Sequence, residues 1–169
     1  MARPVLGVVL LAAVSPLAAG CGSSASSSSV DPGVLTGRLI AAENSGDVES
    51  AVALFTDDGL RHGVPGCDLS DCRGQDNLRA SFQRGAQVYK VKLTPLAPAS
   101  VNGTTAEQVI EVGSTLVIAA GATRIVVTVV ITERDGRIAS EQVVNNVSDP
   151  QTASYVDYLK AHPLQQIAG

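Results

Sequence analysis

Residues 62–72 contain side chains that could carry out chemistry. Cys67 and Cys72 stand close together in the sequence, and His62 precedes them. Cysteine, histidine and carboxylate are the usual ligands of zinc, and a histidine can also activate a cysteine nucleophile. Only two thiols are present in the segment, and the chain begins with a sequence that resembles an export signal, described below. We therefore predict a Cys67–Cys72 disulfide, with a metal site and a reactive thiol as the alternatives.

His62 and Glu43 are the candidates for acid–base chemistry. His62 follows the segment DDGLR and could act as an acid or base near neutral pH, or simply bind a backbone carbonyl or water at a strand end. Its neighbour Arg61 should then point the opposite way, into solvent. Glu43 lies one helical turn after Leu39 and is a candidate pocket acid, with a surface position at the helix end as the favoured alternative.

The first twenty residues, MARPVLGVVLLAAVSPLAAG, have the layout of a signal peptide: one positive charge, an apolar run, then small residues. LAAGC resembles the bacterial lipobox, which implies that Cys21 is lipidated, for example with palmitate, after cleavage. Residues 21–33 are rich in serine and typical of a flexible tether. We expect an exported lipoprotein that is anchored through Cys21 in the lipid bilayer and faces the extracytoplasmic side of the cell membrane.

The net charge and the absence of certain motifs exclude several classes of function. The net charge is −4, and signal cleavage would remove Arg3 and no acidic residue, so nucleic acid is not an expected partner. The sequence contains no phosphate-binding glycine loop and no spacing typical of a catalytic triad. We expect no cofactor and no metal. Residues 34–169 suffice for one domain, whose core must consist of Val, Ile, Leu and Ala, because aromatic residues are few.

The hydrophobic spacing changes along this domain. Helical periodicity predicts a helix over 34–44, a second helix capped by Asp47, and a third in QDNLRASFQRGAQ. After Gln87 the pattern predicts strands in four segments, and a last helix over 150–161. The four strand segments are VYKVKLTPL, TAEQVIEVGSTLVIAA, TRIVVTVVITE and RIASEQVVNNV. The predicted class is α+β, with a curved antiparallel sheet wrapping three N-terminal helices.

The segment LIAAENSGDVESAVALFTDDGLRHG, followed by RGQDNLRASF, resembles the nuclear transport factor 2-like superfamily, which includes ketosteroid isomerases and polyketide cyclases. The resemblance implies a cone-shaped, cystatin-like roll with a pocket at its open end. It also implies a possible homodimer through the outer sheet face around 125–131, whose two faces are both apolar. The pocket candidates are Leu39, Glu43, Phe55, Leu60, His62 and Phe82.

The resemblance does not supply a reaction. In ketosteroid isomerase an oxyanion-holding tyrosine would fall at Leu39 and the general base near Gly63, so neither role is filled. No Asp-Arg-Asp set like that of the epoxide hydrolase relatives stands out either. We therefore expect a non-catalytic domain that binds a small apolar ligand or an envelope protein. The alternatives are an isomerase, cyclase or hydrolase-like enzyme that uses His62 on a hydrophobic substrate, and a structural dimerisation module.

Overall fold

The computed structural model describes residues 29–67 and 72–164. The helices are α1 (Pro32–Ser45), α2 (Val48–Ala53), α3 (Gln75–Gln83), α4 (Thr115–Ala119) and α5 (Pro150–Ala161), and a π-helical segment, Arg84–Tyr89, directly follows α3. The strands are β1 (Phe55–His62), β2 (Cys72–Arg73), β3 (Lys92–Pro95), β4 (Ser100–Asn102), β5 (Thr105–Gly113), β6 (Ile125–Arg134) and β7 (Arg137–Asn145). The predicted α+β class is confirmed. The predicted signal peptide and Cys21 lie outside the described residues.

Aspartate side chains fix the starts of three helices. Asp31, Asp47 and Asp149 each accept a hydrogen bond from a backbone N–H in the first turn of α1, α2 and α5, which satisfies a donor that the helix itself leaves unpaired. Because Asp31 is the cap, α1 begins at Pro32. The folded domain therefore starts inside the segment 21–33 that the sequence predicts as tether.

The seven strands form one curved sheet in the order β2-β1-β7-β6-β5-β3, with β4 also paired to β5. The sheet is antiparallel, as predicted, at every strand pair except one, because β1 and β7 run parallel. These two strands are not joined by a hairpin, and most of the domain lies between them in the sequence. A local turn therefore does not set their relative direction.

Two predicted strand boundaries also need correction. The predicted strand TAEQVIEVGSTLVIAA ends at Gly113, and Thr115–Ala119 forms α4 instead. The Ser114 hydroxyl accepts a hydrogen bond from the Val117 N–H at 3.1 Å, and this cap favours the helix over a continued strand. Val88 and Tyr89, predicted at a strand start, belong to the π-helical segment.

The core lies between the helices and the concave face of the sheet. Ile125, Val127, Val129 and Ile131 on β6 are buried on that face. Phe55 of β1 and Phe82 of α3 are buried in the same core, and their ring centroids are 5.7 Å apart. The convex face is less covered, because Val109 and Val144 are 40% and 46% exposed. The predicted homodimer through this face stays a prediction. No helix within residues 29–67 and 72–164 combines the length and apolar character needed to cross a bilayer.

Candidate functional site

A cavity of about 90 Å³ opens between the concave sheet face and the helices. This volume is several times the space that one ordered water needs. Most of its lining is apolar and comes from the middle of the sheet, and Tyr155 and Leu159 of α5 contribute one wall. The sheet contributes Leu93, Ile110, Val112, Val127, Val129 and Val143, among others. The cavity thus provides a largely apolar site for a small organic group.

Three charged side chains meet in the lining of this cavity: Glu43 from α1, Arg61 from β1 and Glu141 from β7. Arg61 Nη2 donates hydrogen bonds to both carboxylate oxygens of Glu43, each at 2.8 Å. Arg61 Nε lies 2.8 Å from Glu141 Oε2, and the guanidinium carbon lies 4.2 Å from the centre of the Phe82 ring. The three charged side chains are at most 7% exposed. We call Glu43, Arg61 and Glu141 the buried charge cluster.

The parallel pairing of β1 and β7 positions two members of this cluster. Arg61 is the register partner of Glu141, and side chains at such positions project from the same face of a sheet. Two residues beyond Arg61, Gly63 has a positive φ of 77°, and a Cβ atom there would overlap the carbonyl oxygen of Val143. Only glycine permits this close approach of the two chains beside the cluster.

The buried charge cluster holds two carboxyl groups and one guanidinium. Burial raises the pKa of Glu141 to about 7; Arg61 opposes this shift, and the nearby charge of Glu43 adds to it. Burial works against the charge of Arg61, but Glu141 and Glu43 outweigh it and raise the pKa of the guanidinium. The cluster can therefore bind or release a proton at Glu141 near neutral pH.

The contact between Arg61 and Glu141 is short but poorly aligned. Although Nε and Oε2 are 2.8 Å apart, neither atom makes a well-aligned hydrogen bond to any described residue. Their interaction is therefore mainly a contact between opposite charges. Glu43, by contrast, accepts two well-formed hydrogen bonds from the same guanidinium. Glu141 Oε1 accepts one longer hydrogen bond from Arg61 Nη2, at 3.4 Å, and Glu141 Oε2 is the carboxylate oxygen of the cluster that lacks an aligned donor in the described structure.

Neutral polar groups also line the cavity, including Tyr89, Tyr155 and Ser81. Tyr89 ends the π-helical segment, and Lys90 follows it in the left-handed conformation with φ of 54°. Such wide helical turns occur often at functional sites, because they redirect side chains from the regular helical positions. Here the irregular segment places a phenol in the cavity wall opposite the sheet.

The predicted disulfide is present, and Cys67 Sγ and Cys72 Sγ are 2.01 Å apart. The pair is buried and packs against Val64 and Val143, which both line the cavity. The disulfide therefore braces the cavity wall. No cluster of three metal-ligating side chains occurs within the described ranges, and the carboxylates of residues 68 and 71 lie outside them.

The structure separates the predicted pocket residues into three groups. Glu43 lines the cavity, so its position at the surface, the alternative favoured from sequence, is wrong. Leu39, Phe55 and Phe82 lie in the hydrophobic core. Leu60 and His62 are half-buried and are not among the residues that line the cavity.

The prediction for Arg61 is wrong, because this side chain is buried and lines the cavity instead of pointing into solvent. The prediction placed the His62 side chain on the inward face of the strand. Because adjacent strand residues face opposite sides, it placed Arg61 on the outward face. An irregularity in β1 between Phe55 and Leu60 shifts the register of β1 against β7. The alternation of inward and outward side chains is therefore interrupted before Arg61, and counting from the start of β1 does not show which residue faces inward. Adjacent strand residues face opposite ways, and Arg61 takes the inward position.

Sequence analysis did not identify Glu141. Its signal was available, because Glu141 lies two residues before Val143 and therefore shares a face with this apolar side chain in a strand. An acidic residue on the inward face of a strand is unusual unless it is paired. The Glu43–Arg61–Glu141 arrangement supplies an acid–arginine–acid set that was not apparent from sequence, because its members come from three separate elements.

Comparisons with known proteins agree with this architecture. The SnoaL-like domain family matches residues 37–141. A search of curated protein sequences gives no match. The epoxide hydrolase/cyclase-like enzyme SalBIII, which has a role in pyran ring formation in the polyether salinomycin, is similar in structure with a TM-score of 0.57 and 22% identity. The similarity covers 69% of this chain and 91% of that one.

Two other solved structures give comparable values. A candidate polyketide cyclase from Sinorhizobium meliloti has a TM-score of 0.56 and 16% identity, over 65% of this chain and 93% of that one. An uncharacterised cystatin-fold protein from Novosphingobium aromaticivorans has a TM-score of 0.56 and 16% identity, and the similarity covers 69% of this chain and 99% of that one. At these identities the likeness concerns the fold, and the family match extends from within α1 to the buried Glu141. The chain therefore belongs to the SnoaL-like family of the nuclear transport factor 2-like superfamily.

Proposed function

We propose that this domain binds a small, mostly apolar molecule in the cavity and that the buried charge cluster contacts the polar end of this molecule. One observation carries the proposal: three charged side chains lie at the wall of an otherwise apolar cavity. Burying such charges generally costs more than an apolar core of similar volume. A cluster of this kind is therefore better explained by ligand recognition than by stability.

The proposal includes attachment to a membrane. In this proposal Cys21 of the lipobox-like LAAGC carries the lipid; Cys21 precedes Asp31, the cap of α1, by ten residues, and the intervening sequence is rich in serine. The domain would then work close to the outer surface of the cell membrane, where small apolar molecules partition. Intact mass of the purified chain tests this directly: lipidation adds acyl mass to a chain that begins at Cys21, and Cys21→Ser should abolish both the cleavage and the added mass.

Acid–base catalysis on the bound molecule is the second candidate function. The observation that favours it is the pKa of Glu141, which burial raises to about 7, within the range suited to a general acid or base. SalBIII is described as epoxide hydrolase/cyclase-like, which supports an enzyme-like reading of the shared fold. The earlier candidate His62 remains a prediction. Glu141→Gln and His62→Ala would distinguish the two acid–base assignments once turnover of a substrate is observed.

Native mass spectrometry under non-reducing conditions tests ligand binding. We expect a small-molecule mass that accompanies the native protein and is lost on denaturation. Val112→Phe should remove that mass, because Val112 lines the cavity and the larger ring would fill it. Val109→Phe is the matched control, because Val109 lies on the same strand but is exposed on the convex face.

The outcomes separate clearly. A bound mass that Val109→Phe retains and Val112→Phe loses supports the proposal. A bound mass that both variants retain places the ligand elsewhere. If no mass is carried, small apolar molecules should still shift the amide resonances of cavity residues in a titration followed by NMR. The proposal fails if neither the native protein nor the titration shows binding at the cavity.

A further inference from the structure

The charged residues in the cavity lining are unequal in number. Glu43 and Glu141 contribute two carboxyl groups, and Arg61 contributes the single cation. The phenols of Tyr89 and Tyr155 also belong to the lining. With both carboxyl groups ionised, the described cavity wall carries one excess negative charge in apolar surroundings.

The Arg61 guanidinium already contacts both carboxyl groups of the cluster. Its Nη2 is shared by both oxygens of Glu43, its Nε contacts Glu141, and one face covers the Phe82 ring. Arg61 and Glu43 thus form a well-bonded neutral pair. Glu141 Oε1 accepts one longer hydrogen bond from Arg61 Nη2, at 3.4 Å, whereas Oε2 has a charge contact but no aligned donor in the described structure. A proton or a donor on a ligand can complete its hydrogen bonding.

We propose that the cavity selects molecules with an apolar body and a protonated amine, and that binding of the ammonium group releases the proton held by Glu141. This inference rests on the proposed function and names its ligand class. The exchange is balanced: the ammonium group keeps its own proton, the Glu141 carboxyl group loses one to solvent, and the resulting carboxylate pairs with the ammonium. No covalent bond other than this O–H bond changes.

Electrostatics favours a cation over the other charge types. An ammonium ion compensates the excess negative charge of the wall, whereas a carboxylate ligand would increase it in a site with little water. A neutral alcohol can donate to an ionised Glu141 or accept from a protonated one, so its affinity should change little with pH. The charged groups that face Glu141 are Arg61 from β1 and Glu43 from α1, and the phenols of Tyr89 and Tyr155 lie in the same lining.

The coupling predicts the direction of a pH effect. Simple alkylamines stay protonated between pH 6 and pH 8, like the lysine side chain. Glu141, with a pKa of about 7, changes from mostly protonated to mostly ionised over the same interval. Ammonium binding requires the ionised form, so the affinity should rise about tenfold from pH 6 to pH 8.

Three probes of matched shape test the inference: cyclohexylmethylamine, cyclohexylmethanol and cyclohexanecarboxylate. Each is titrated into the purified protein at both pH values, and dissociation constants are obtained from amide chemical shifts. We expect the amine to bind best at pH 8 and to lose about tenfold at pH 6. The alcohol should show little pH dependence, and the carboxylate should bind worst at pH 8.

Two substitutions remove the excess charge independently. Glu141→Gln and Glu43→Gln each leave one carboxylate for Arg61, so each should abolish both the preference for the amine and its pH dependence. If one variant fails to fold, the other still supplies the test. Glu107→Gln is the control, because Glu107 is an exposed acidic residue of β5 and is not among the cavity-lining residues. It should behave as the wild-type protein does.

The results distinguish failure of this inference from failure of the proposed function. If all three probes bind equally and Val112→Phe blocks them, the cavity is a binding site but the inference is overturned. Equal pH dependence in the wild-type protein and both cluster variants would also overturn it. If no probe binds at either pH, neither the inference nor a binding site for apolar molecules of this size survives.

Discussion

Strand β1 takes part in two sets of ion pairs that lie in very different surroundings. Near the start of β1, the exposed Asp57 pairs with Arg137 at 3.0 Å, and Asp58 pairs with Arg134. Toward its end, Arg61 pairs with Glu141 at 2.8 Å and with Glu43 in the cavity wall. The partners are of the same chemical types and the distances are similar. The difference between the two sets is the access of water.

That difference reverses the effect of pairing on a carboxyl group. Hydrogen bonds from Thr56 and then Arg134 lower the pKa of the exposed Asp58. Burial raises the pKa of Glu141 to about 7 in spite of Arg61. Removing a carboxylate from water costs more than one poorly aligned cation returns. A short contact on its own therefore does not tell whether an ion pair stabilises the charged state.

Arg61→Met should produce the largest change in stability. Removing the guanidinium leaves two carboxyl groups buried together without a cation, and breaking a buried pair in this way typically costs about 3–5 kcal/mol. Chemical denaturation at neutral pH measures the loss. Glu43→Gln and Glu141→Gln added to Arg61→Met should recover part of it, because the orphaned charges are then gone. A loss equal to that of Arg137→Met would contradict the distinction between the two sets.

The pH dependence of unfolding sharpens the same distinction. Because the folded-state pKa of Glu141 is raised from the ordinary value of 4.5 to about 7, its proton favours the folded protein. This contribution is fully present below about pH 4.5 and is lost as the pH rises through 7. It amounts to about 3 kcal/mol. The stability of the wild-type protein should therefore decrease, relative to Glu141→Gln, by about that amount between pH 4.5 and pH 8.

The exposed set supplies a control of opposite sign. The pKa of Asp58 is lowered in the folded protein, so its contribution is present above its unfolded pKa and is lost as the pH falls through the folded value. Relative to Asp58→Asn, the wild-type protein should lose stability towards urea as the pH falls below about 4, whereas relative to Glu141→Gln it should lose stability as the pH rises from about 4.5 to about 8. Parallel curves would show that burial does not govern the protonation of Glu141.

Local features of the sequence sufficed to predict most elements. The helix α5 was predicted at 150–161 from its aspartate cap and the proline in its first turn, and the structure has Pro150–Ala161. The strand β6 was predicted from its run of β-branched residues, and the disulfide from two cysteines in a chain with the sequence of an export signal. Each prediction depended on residues close together in the sequence. The family resemblance supplied the cone that joins these elements.

The buried charge cluster could not be predicted in this way. Arg61 and Glu141 are 80 positions apart and meet only through the parallel pairing of β1 and β7. The irregular register before Leu60 decides whether Arg61 or His62 faces inward. The polar sequence DDGLRH has no alternation of apolar and polar residues from which the inward face could be predicted. Long-range register and local irregularity therefore decide the chemistry of the site, whereas local patterns decide its scaffold.

Asp57→Asn should give the smallest effect of all. The Asp57 side chain is 90% exposed, and its partner Arg137 is 40% exposed, so both groups remain hydrated when the pair is broken. We expect no measurable change in the denaturation midpoint at either low or high salt, because solvent and ions already screen the attraction. A clear loss at low salt that disappears at high salt would mean that the exposed set does stabilise the β1–β7 pairing. In that case an ion pair exposed to water would stabilise the β1–β7 pairing, contrary to the contrast drawn with Arg61. Part of the stability lost in Arg61→Met would then come from weaker β1–β7 pairing and not from burial of unpaired carboxyl groups.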